Sequence, residues 1–275
     1  AALVTGNTVI AKASEETSLI AFKAAGLFFN HGLPKDALHL LLGDGRVGQA
    51  IITSQALDLV VFTGSLKTAK SIHNSLSNKP GKIVPLIAET GGLNSMVVDS
   101  SALIERACDD IMRSAFNSAG QRCSALRLLL VHETIHEELI SMLKGMMSEL
   151  IVGNPSNSSV DMGPIISVEA AQELYDYLDK PDSERLTIFQ PQAPDEHRKQ
   201  WFLPTLIELK SINTLNEEKF GPILHVLKFS EKTLDSHLGQ ITAKGFGLTF
   251  GIHTRIDAKA IHASKLVSAG NTYIN

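Results

Sequence analysis

Residues Ala37–Gly64 read ALHLLLGDGRVGQAIITSQALDLVVFTG, and the fold class turns on this stretch. Ala37–Leu42 is an apolar run of strand length, Gly43-Asp44-Gly45 breaks it, a helical pattern follows to about Ser54, and Leu57–Phe62 is a second buried strand. Outward from it, Asn7–Ala11 reads as a strand. Ser14–Thr17 caps a helix with apolar residues at 19, 20, 22, 24, 25, 27 and 28, which ends at Gly32-Leu33-Pro34. Ser65 to Leu76 is a further helix and Ile83–Ala88 a fourth strand. Strands alternating with helices in this way require a parallel sheet with right-handed crossovers, so the chain is α/β.

Parallel sheets of this kind bind ligands at the carboxyl ends of their strands. Four features fall there: Lys12 with Glu15, the turn Gly43 to Gly48, Thr63-Gly64-Ser65, and Glu89-Thr90-Gly91-Gly92. The Gly43 turn has the G-x-G-x-x-G spacing, but no acidic residue lies about twenty positions on, and any tight strand-to-helix turn selects glycines. Gly64-Ser65 is a stronger anion site, because a hydroxyl and the free N–H groups of a helix start meet where a glycine permits close approach; an ordinary N-cap is compatible with this. At the end of the first strand Lys12 can meet ribose hydroxyls, and Glu15 would repel a 2′-phosphate. Glu89 ends an apolar strand, where a carboxylate is costly unless paired or functional, and is a candidate general base.

The second part of the chain carries the candidate nucleophile. Asn94–Val98 is a strand and Ser101–Phe116 a helix, with Cys108 in its apolar stripe and therefore in the core. After Phe116-Asn117-Ser118-Ala119-Gly120-Gln121-Arg122 comes Cys123, followed by Ser124. A thiol with the ordinary pKa of about 8.5 is a few per cent thiolate at neutral pH, so it needs a cation or backbone dipoles nearby, and Arg122 with the Gly120 turn can supply them. Leu126–Val131 is a buried strand. His132-Glu133-Thr134-Ile135-His136 matches the zinc pattern H-E-x-x-H, but Thr134 with Glu137 forms a capping box that leaves His132 ahead of the helix, so no metal is expected. A helix is expected over Val168–Asp179, a surface excursion over Lys180–Lys199, and a return to the core at Trp201. The loop Glu217-Glu218-Lys219-Phe220-Gly221-Pro222 precedes a strand over Ile223–Phe229. Phe246–Ile252 is a last strand, and Asp257–Val267 a last helix.

Composition excludes several classes. The chain has 275 residues, 44% of them hydrophobic, and 29 acidic residues against 25 Lys plus Arg. The basic residues are scattered, so no nucleic-acid stripe exists. Two cysteines make no disulfide framework and suit a reducing compartment, the cytoplasm. No apolar run reaches membrane-spanning length. The chain opens on Ala1-Ala2-Leu3-Val4-Thr5-Gly6 with neither a leader nor a natural domain start, and reads as an excised piece of a larger protein.

Taken together, Gly6-Asn7-Thr8-Val9-Ile10-Ala11-Lys12, Phe62-Thr63-Gly64-Ser65, Glu89-Thr90-Gly91-Gly92, Gly120-Gln121-Arg122-Cys123 and Glu218-Lys219-Phe220-Gly221-Pro222 resemble the aldehyde dehydrogenase superfamily in order and spacing, over the whole chain. Within it, Ala88 to Asn94 and Ser118 to Arg127 are similar to the glutamate semialdehyde (pyrroline-5-carboxylate) dehydrogenases of bifunctional proline-catabolic enzymes. The resemblance implies a partial Rossmann-type domain for NAD over residues 1–91 and an α/β catalytic domain over 92–275. It further implies that Cys123 attacks the aldehyde and Glu89 activates the hydrolytic water. Lys12 and Glu15 would meet the adenosine ribose, Gly64 and Ser65 the pyrophosphate, Glu218 the nicotinamide ribose, and Phe220 the nicotinamide ring, while Ser124 would help hold the substrate carboxylate. It implies as well a small-molecule aldehyde substrate, a proline dehydrogenase domain in the parent chain, a homo-oligomer, and neither nucleic acid nor membrane as a partner of this segment. Ala13, in place of a proline, and Lys219, in place of an apolar residue, depart from the family pattern. An inert fragment, a dehydrogenase for another short aldehyde, and a thiol hydrolase built on Cys123 and Glu89 are the alternatives.

Overall fold

The computed structural model describes residues 1–191, 199–245 and 247–275. Part of the Lys180–Lys199 excursion and the start of the expected Phe246–Ile252 strand lie outside them. The chain divides into two compact units, Ala1–Thr90 and Gly91–Asn275.

In the first unit β1 (Val9–Lys12) pairs parallel with β2 (Leu38–Leu41), and β3 (Val60–Gly64) with β4 (Leu86–Thr90). Helix α1 (Ser18–Asn30) joins the first pair and α3 (Leu66–Ser77) the second, with α2 (Gly45–Thr53) between the pairs. The single sheet expected from the strand alternation is instead two two-stranded sheets. This narrowness decides the burial of α1. Of its apolar positions only Ala25 is buried, and Leu19, Ile20, Phe22, Leu27 and Phe28 are more than half exposed. A two-stranded sheet is too narrow to cover a helix face. Nor do Ser14 or Thr17 cap α1 through their side chains; a 3₁₀ turn over Glu15–Thr17 leads into it. Asp44 caps α2 by accepting from Arg46 N, and Ser65 caps α3 by accepting from Thr68 N.

The second unit is built on one seven-stranded sheet, ordered β11-β10-β5-β6-β9-β8-β7. Its strands are β5 (Ser95–Val98), β6 (Leu128–His132), β7 (Arg185–Phe189), β8 (Thr205–Leu209), β9 (Ile223–Phe229), β10 (Thr249–His253) and β11 (Asn271–Ile274). All neighbours run parallel except β7, which lies antiparallel on β8. β7 falls inside the segment expected to be a surface excursion. It is an edge strand whose Leu186 is exposed, so it lacks the continuous apolar run that marks the central strands.

The central strands alternate between two cores with period two. Leu128 and Leu130 of β6 enter the core beneath α6 (Val168–Asp179), α7 (Leu234–Ala243) and α8 (Asp257–Leu266). Leu129 and Val131 enter the core beneath α4 (Ile104–Phe116) and α5 (His136–Glu149). Burial on both faces is why Leu128–Val131 of β6 is an unbroken apolar run. Cys108 sits fully buried in α4, and burial pushes its thiol up to about 12, so it packs as a hydrophobe. The capping box expected at Thr134 does not form: α5 starts at His136, and the Thr134 hydroxyl bonds His132 Nδ1 instead. His132 ends a strand and His136 opens a helix, so the two share no helical face.

Asp99, at the end of β5, is almost fully buried. Burial alone would raise its pKa, but hydrogen bonds from Lys259, Ser101 and Thr254 outweigh it and hold the carboxyl at about 2. A folded-state pKa below the unfolded one gives stability that is present above pH ~4 and lost as the pH falls towards ~2, on the order of 2 kcal/mol. Urea unfolding across that window should therefore show the stability gap between wild type and Asp99→Asn closing on acidification.

Candidate active site

In the first unit the sequence-nominated residues do reach carboxyl strand ends. Lys12 closes β1 and pairs with Glu15 at 3.0 Å. Glu15 is held below the ordinary carboxylate range, first by its own backbone hydrogen bond and then by Lys12. Gly64 closes β3, and a Cβ there would lie 2.5 Å from the tip of the Phe62 ring, which would have to move. Ser65 Oγ is engaged as the α3 cap and by Thr68 Oγ1 at 2.9 Å. Glu89 lies on β4 opposite Thr63 and is exposed, so the cost of burying a carboxylate, which first marked it out, does not operate. Gly43, at φ +143, would set a Cβ 2.5 Å from Val47, which makes this glycine a requirement of the turn itself.

The cysteine of the second unit is placed differently. Cys123 lies in the loop between α4 and β6, at the amino end of its strand. The Glu218 loop precedes β9 and Asn94 precedes β5, so this site gathers at the amino ends of the parallel strands rather than the carboxyl ends.

The loop is shaped by consecutive left-handed residues, Ser118 (φ 58), Ala119 (φ 54) and Gly120 (φ 63). Two non-glycine residues in that region are strained, and such strain persists only where surrounding contacts over-determine it. Those contacts are visible. Asn94 Nδ2 donates to the carbonyls of Cys123 (2.7 Å) and Ala125 (2.8 Å), while Asn94 Oδ1 accepts from Thr249 N. Gln121 donates to Pro164 O and accepts from Ile166 N at 2.8 Å. Cys123 itself is exposed, as is Ser124 beside it.

Gly120 packs against the Glu218 loop so closely that a Cβ would sit 2.3 Å from Gly221 O and 2.9 Å from Ala115 O. The clash involves rigid backbone, and φ disfavours alanine as well. Gly120→Ala should therefore cost about 3 kcal/mol, read as a lowered midpoint of thermal unfolding.

Arg127 was quoted in the sequence only as part of a motif, and the structure gives it a central place. It is fully buried. Its Nε and Nη2 each donate to Glu218 Oε1 at 3.1 Å, Nη1 donates to Gly221 O at 2.9 Å, and Nη2 donates to Arg122 O at 3.2 Å. Phe220 is half-exposed, its ring centre 5.3 Å from the guanidinium carbon. Burial lowers the Arg127 pKa, while Glu218 and negative charge at Cys123 favour the cation. Burial raises the Glu218 carboxyl, against Arg127 and a backbone hydrogen bond from Gly92. A Cβ on Gly91 would fall 1.7 Å from Glu218 Oε2, so glycine there makes room for the carboxylate. Arg122, nominated in the sequence as a cation beside the thiol, donates from Nε to Ser118 Oγ. The signal for Arg127 was present in the sequence: a lone charge between Leu126 and the buried run Leu128–Val131 has to find a buried anion.

Lys219, the departure beside Glu218, pairs with Glu217 and sits 4.6 Å from the centre of the Tyr177 ring. Tyr177 OH bonds His225 Nε2 at 2.8 Å, and His225 Nδ1 lies 3.1 Å from Arg127 O. A carbonyl can only accept, so Nδ1 carries the proton and Nε2 accepts from the tyrosine. Full burial holds His225 at about 4 and neutral.

The site is thus an exposed thiol on a strained, over-determined loop, with a buried arginine–carboxylate pair behind it on an α/β scaffold. The chain belongs to the aldehyde dehydrogenase family, which matches residues 1–275. The bifunctional protein PutA of Klebsiella aerogenes is 41% identical over 285 residues, covering all of this chain and 22% of that protein. The chain thus spans about a fifth of the length of that relative. A crystal structure of a Bradyrhizobium japonicum proline utilization A variant superposes with a TM-score of 0.95 at 44% identity, covering 99% of this chain and 28% of that one. Betaine aldehyde dehydrogenase from Staphylococcus aureus, solved with NAD+, gives a TM-score of 0.90 at 27% identity, over 99% of this chain and 54% of that one.

Proposed function

We propose that the parent protein is an NAD-dependent dehydrogenase that oxidises L-glutamate γ-semialdehyde to L-glutamate. In this reading residues 1–91 belong to its nucleotide domain and 92–275 to its catalytic domain. The observation that carries it is the exposed Cys123, on a left-handed loop tied through Arg127 to the carboxylate of Glu218. Similarity to proline utilization proteins supports the substrate, because this semialdehyde is the aldehyde of proline breakdown in the enzymes the sequence resembles.

The residues of the first unit suit the adenosine half of a dinucleotide. A helix N-terminus at Ser65 suits a diphosphate, and Gly64, without a side chain, leaves the approach open. Lys12 and Glu15 suit a ribose diol, and the ionised Glu15 disfavours a 2′-phosphate, which selects NAD over NADP. Glu218 suits the second ribose, with Phe220 beside it. Bound NAD would supply the hydride acceptor.

The protein's own residues do the rest. The Cys123 thiolate attacks the aldehyde carbon, forming the C–S bond of a thiohemiacetal, while Ser124 helps hold the substrate carboxylate. Loss of hydride leaves a thioester on Cys123. Glu89 takes a proton from water, which adds to the thioester carbonyl and expels the thiolate, so glutamate leaves and Cys123 is restored. Residence in the cytoplasm, a homo-oligomer and a proline dehydrogenase domain elsewhere in the parent chain belong to the same reading.

NADH absorbance tests it. Signal should require both the semialdehyde and NAD, with NADP at least about tenfold weaker. Nucleotide-independent ester hydrolysis without NADH formation would favour a thiol hydrolase instead.

A further inference from the structure

We propose that Arg127 is the positioning residue of the nucleophile: it locks the peptide between Arg122 and Cys123 so that the Cys123 N–H faces the oxygen of a carbonyl under attack. This rests on reading Cys123 as the nucleophile.

The geometry is local to the second unit. The Arg122 carbonyl accepts from Arg127 Nη2 at 3.2 Å and from Ala125 N at 3.1 Å. That carbonyl belongs to the peptide whose nitrogen is Cys123 N. No cis peptide bond occurs among the described residues, and a planar trans unit points its N–H opposite to its C=O. Pinning the carbonyl towards the buried guanidinium therefore turns the Cys123 N–H away from it, on a residue whose side chain is exposed. Among the described residues no acceptor takes that N–H. A donor left free beside a nucleophile is placed to bind the charge that develops on a carbonyl oxygen as the carbon is attacked.

Arg127 can hold this position because it is itself held on every side. Glu218 takes two of its N–H groups and Gly221 O a third. Its backbone N donates to Asn94 O, and its own carbonyl accepts from both the N–H and the Nδ1 of His225. Asn94 in turn grips the Cys123 carbonyl, so both peptides that flank Cys123 are fixed, one by Arg127 and one by Asn94. A lysine could keep one of the guanidinium's contacts but not the fork that spans Glu218 and Arg122 together.

The test compares two reactions of the same thiol, neither of which needs a cofactor or an aldehyde. With p-nitrophenyl acetate, the Cys123 thiol loses its proton to solvent and the thiolate adds to the ester carbonyl. The charge passes to the carbonyl oxygen, and collapse expels p-nitrophenolate and leaves an acetyl thioester. With iodoacetamide, the thiolate displaces iodide at an sp³ carbon, and no oxyanion forms. In the full-length protein, Arg127→Met should slow acylation about 100-fold while alkylation stays within about threefold of wild type, and Arg127→Lys should recover about tenfold of the loss. Where Arg127→Met does not fold, Arg127→Lys decides, by the same split between the two reactions. Wild-type acylation in a folded variant, or an equal fall of acylation and alkylation in Arg127→Lys, would overturn the proposal. A protein that shows the split but forms no NADH would sink the dehydrogenase reading and leave the role of Arg127 standing.

Discussion

Replacing Cys123 with alanine should abolish NAD-dependent aldehyde oxidation, lowering kcat by more than about 10⁴-fold, because the covalent route has no substitute nucleophile. Cys108 cannot stand in, since it is fully buried in α4 with its thiol pushed up to about 12. The loss should be chemical and not structural. The Cys123 side chain is exposed, and the loop is held through Asn94, Gln121 and Arg127 rather than through the thiol. Unfolding free energy should therefore change by no more than about 0.5 kcal/mol. NADH absorbance and a melting curve on the same preparation check both halves, and full turnover by Cys123→Ala would show that the nucleophile is misassigned.

Glu89→Gln should separate the two halves of the reaction. The acylated enzyme forms without a general base acting on water, so the first equivalent of NADH should appear as a burst. Steady-state turnover should then fall by about 10² to 10⁴, because the thioester waits for water. Glu89 is exposed on β4, so the isosteric change should leave folding untouched. Rapid-mixing kinetics reads the burst. Equal loss of burst and steady state would place Glu89 before acylation rather than after it.

The residues that carry this chemistry differ in how visible they were. Lys12, Gly64-Ser65 and Glu89 could be read because strand, turn and helix signals put them at carboxyl strand ends, and they lie there. The thiol loop was legible through its glycine and its polar neighbours. Its position ahead of the strand Leu126–Val131 already put Cys123 at that strand's amino end, but that Asn94 and the Glu218 loop gather beside it depends on β5, β6 and β9 being neighbours in the sheet, which no local pattern encodes. β7 escaped because an edge strand lacks the apolar run that revealed β6. The α1 stripe shows the converse. Periodicity reports which face a helix could bury, and the narrow β1–β2 sheet leaves that face open.

By itself, then, the sequence determined the α/β class and most of its strands and helices, and it nominated the thiol, because periodicity, turn chemistry and capping act over a few neighbouring residues. Only the tertiary structure decided that Arg127 lies behind the Cys123 loop, tied to it through Arg122 O. Glu218 and Gly221, its other partners, are 91 and 94 positions further along the chain, and Arg127 meets them because β6 and β9 are neighbours in the sheet, in register from Leu128 and His225. A buried cation chooses its anion by proximity in space, and that proximity exists only once the sheet has formed.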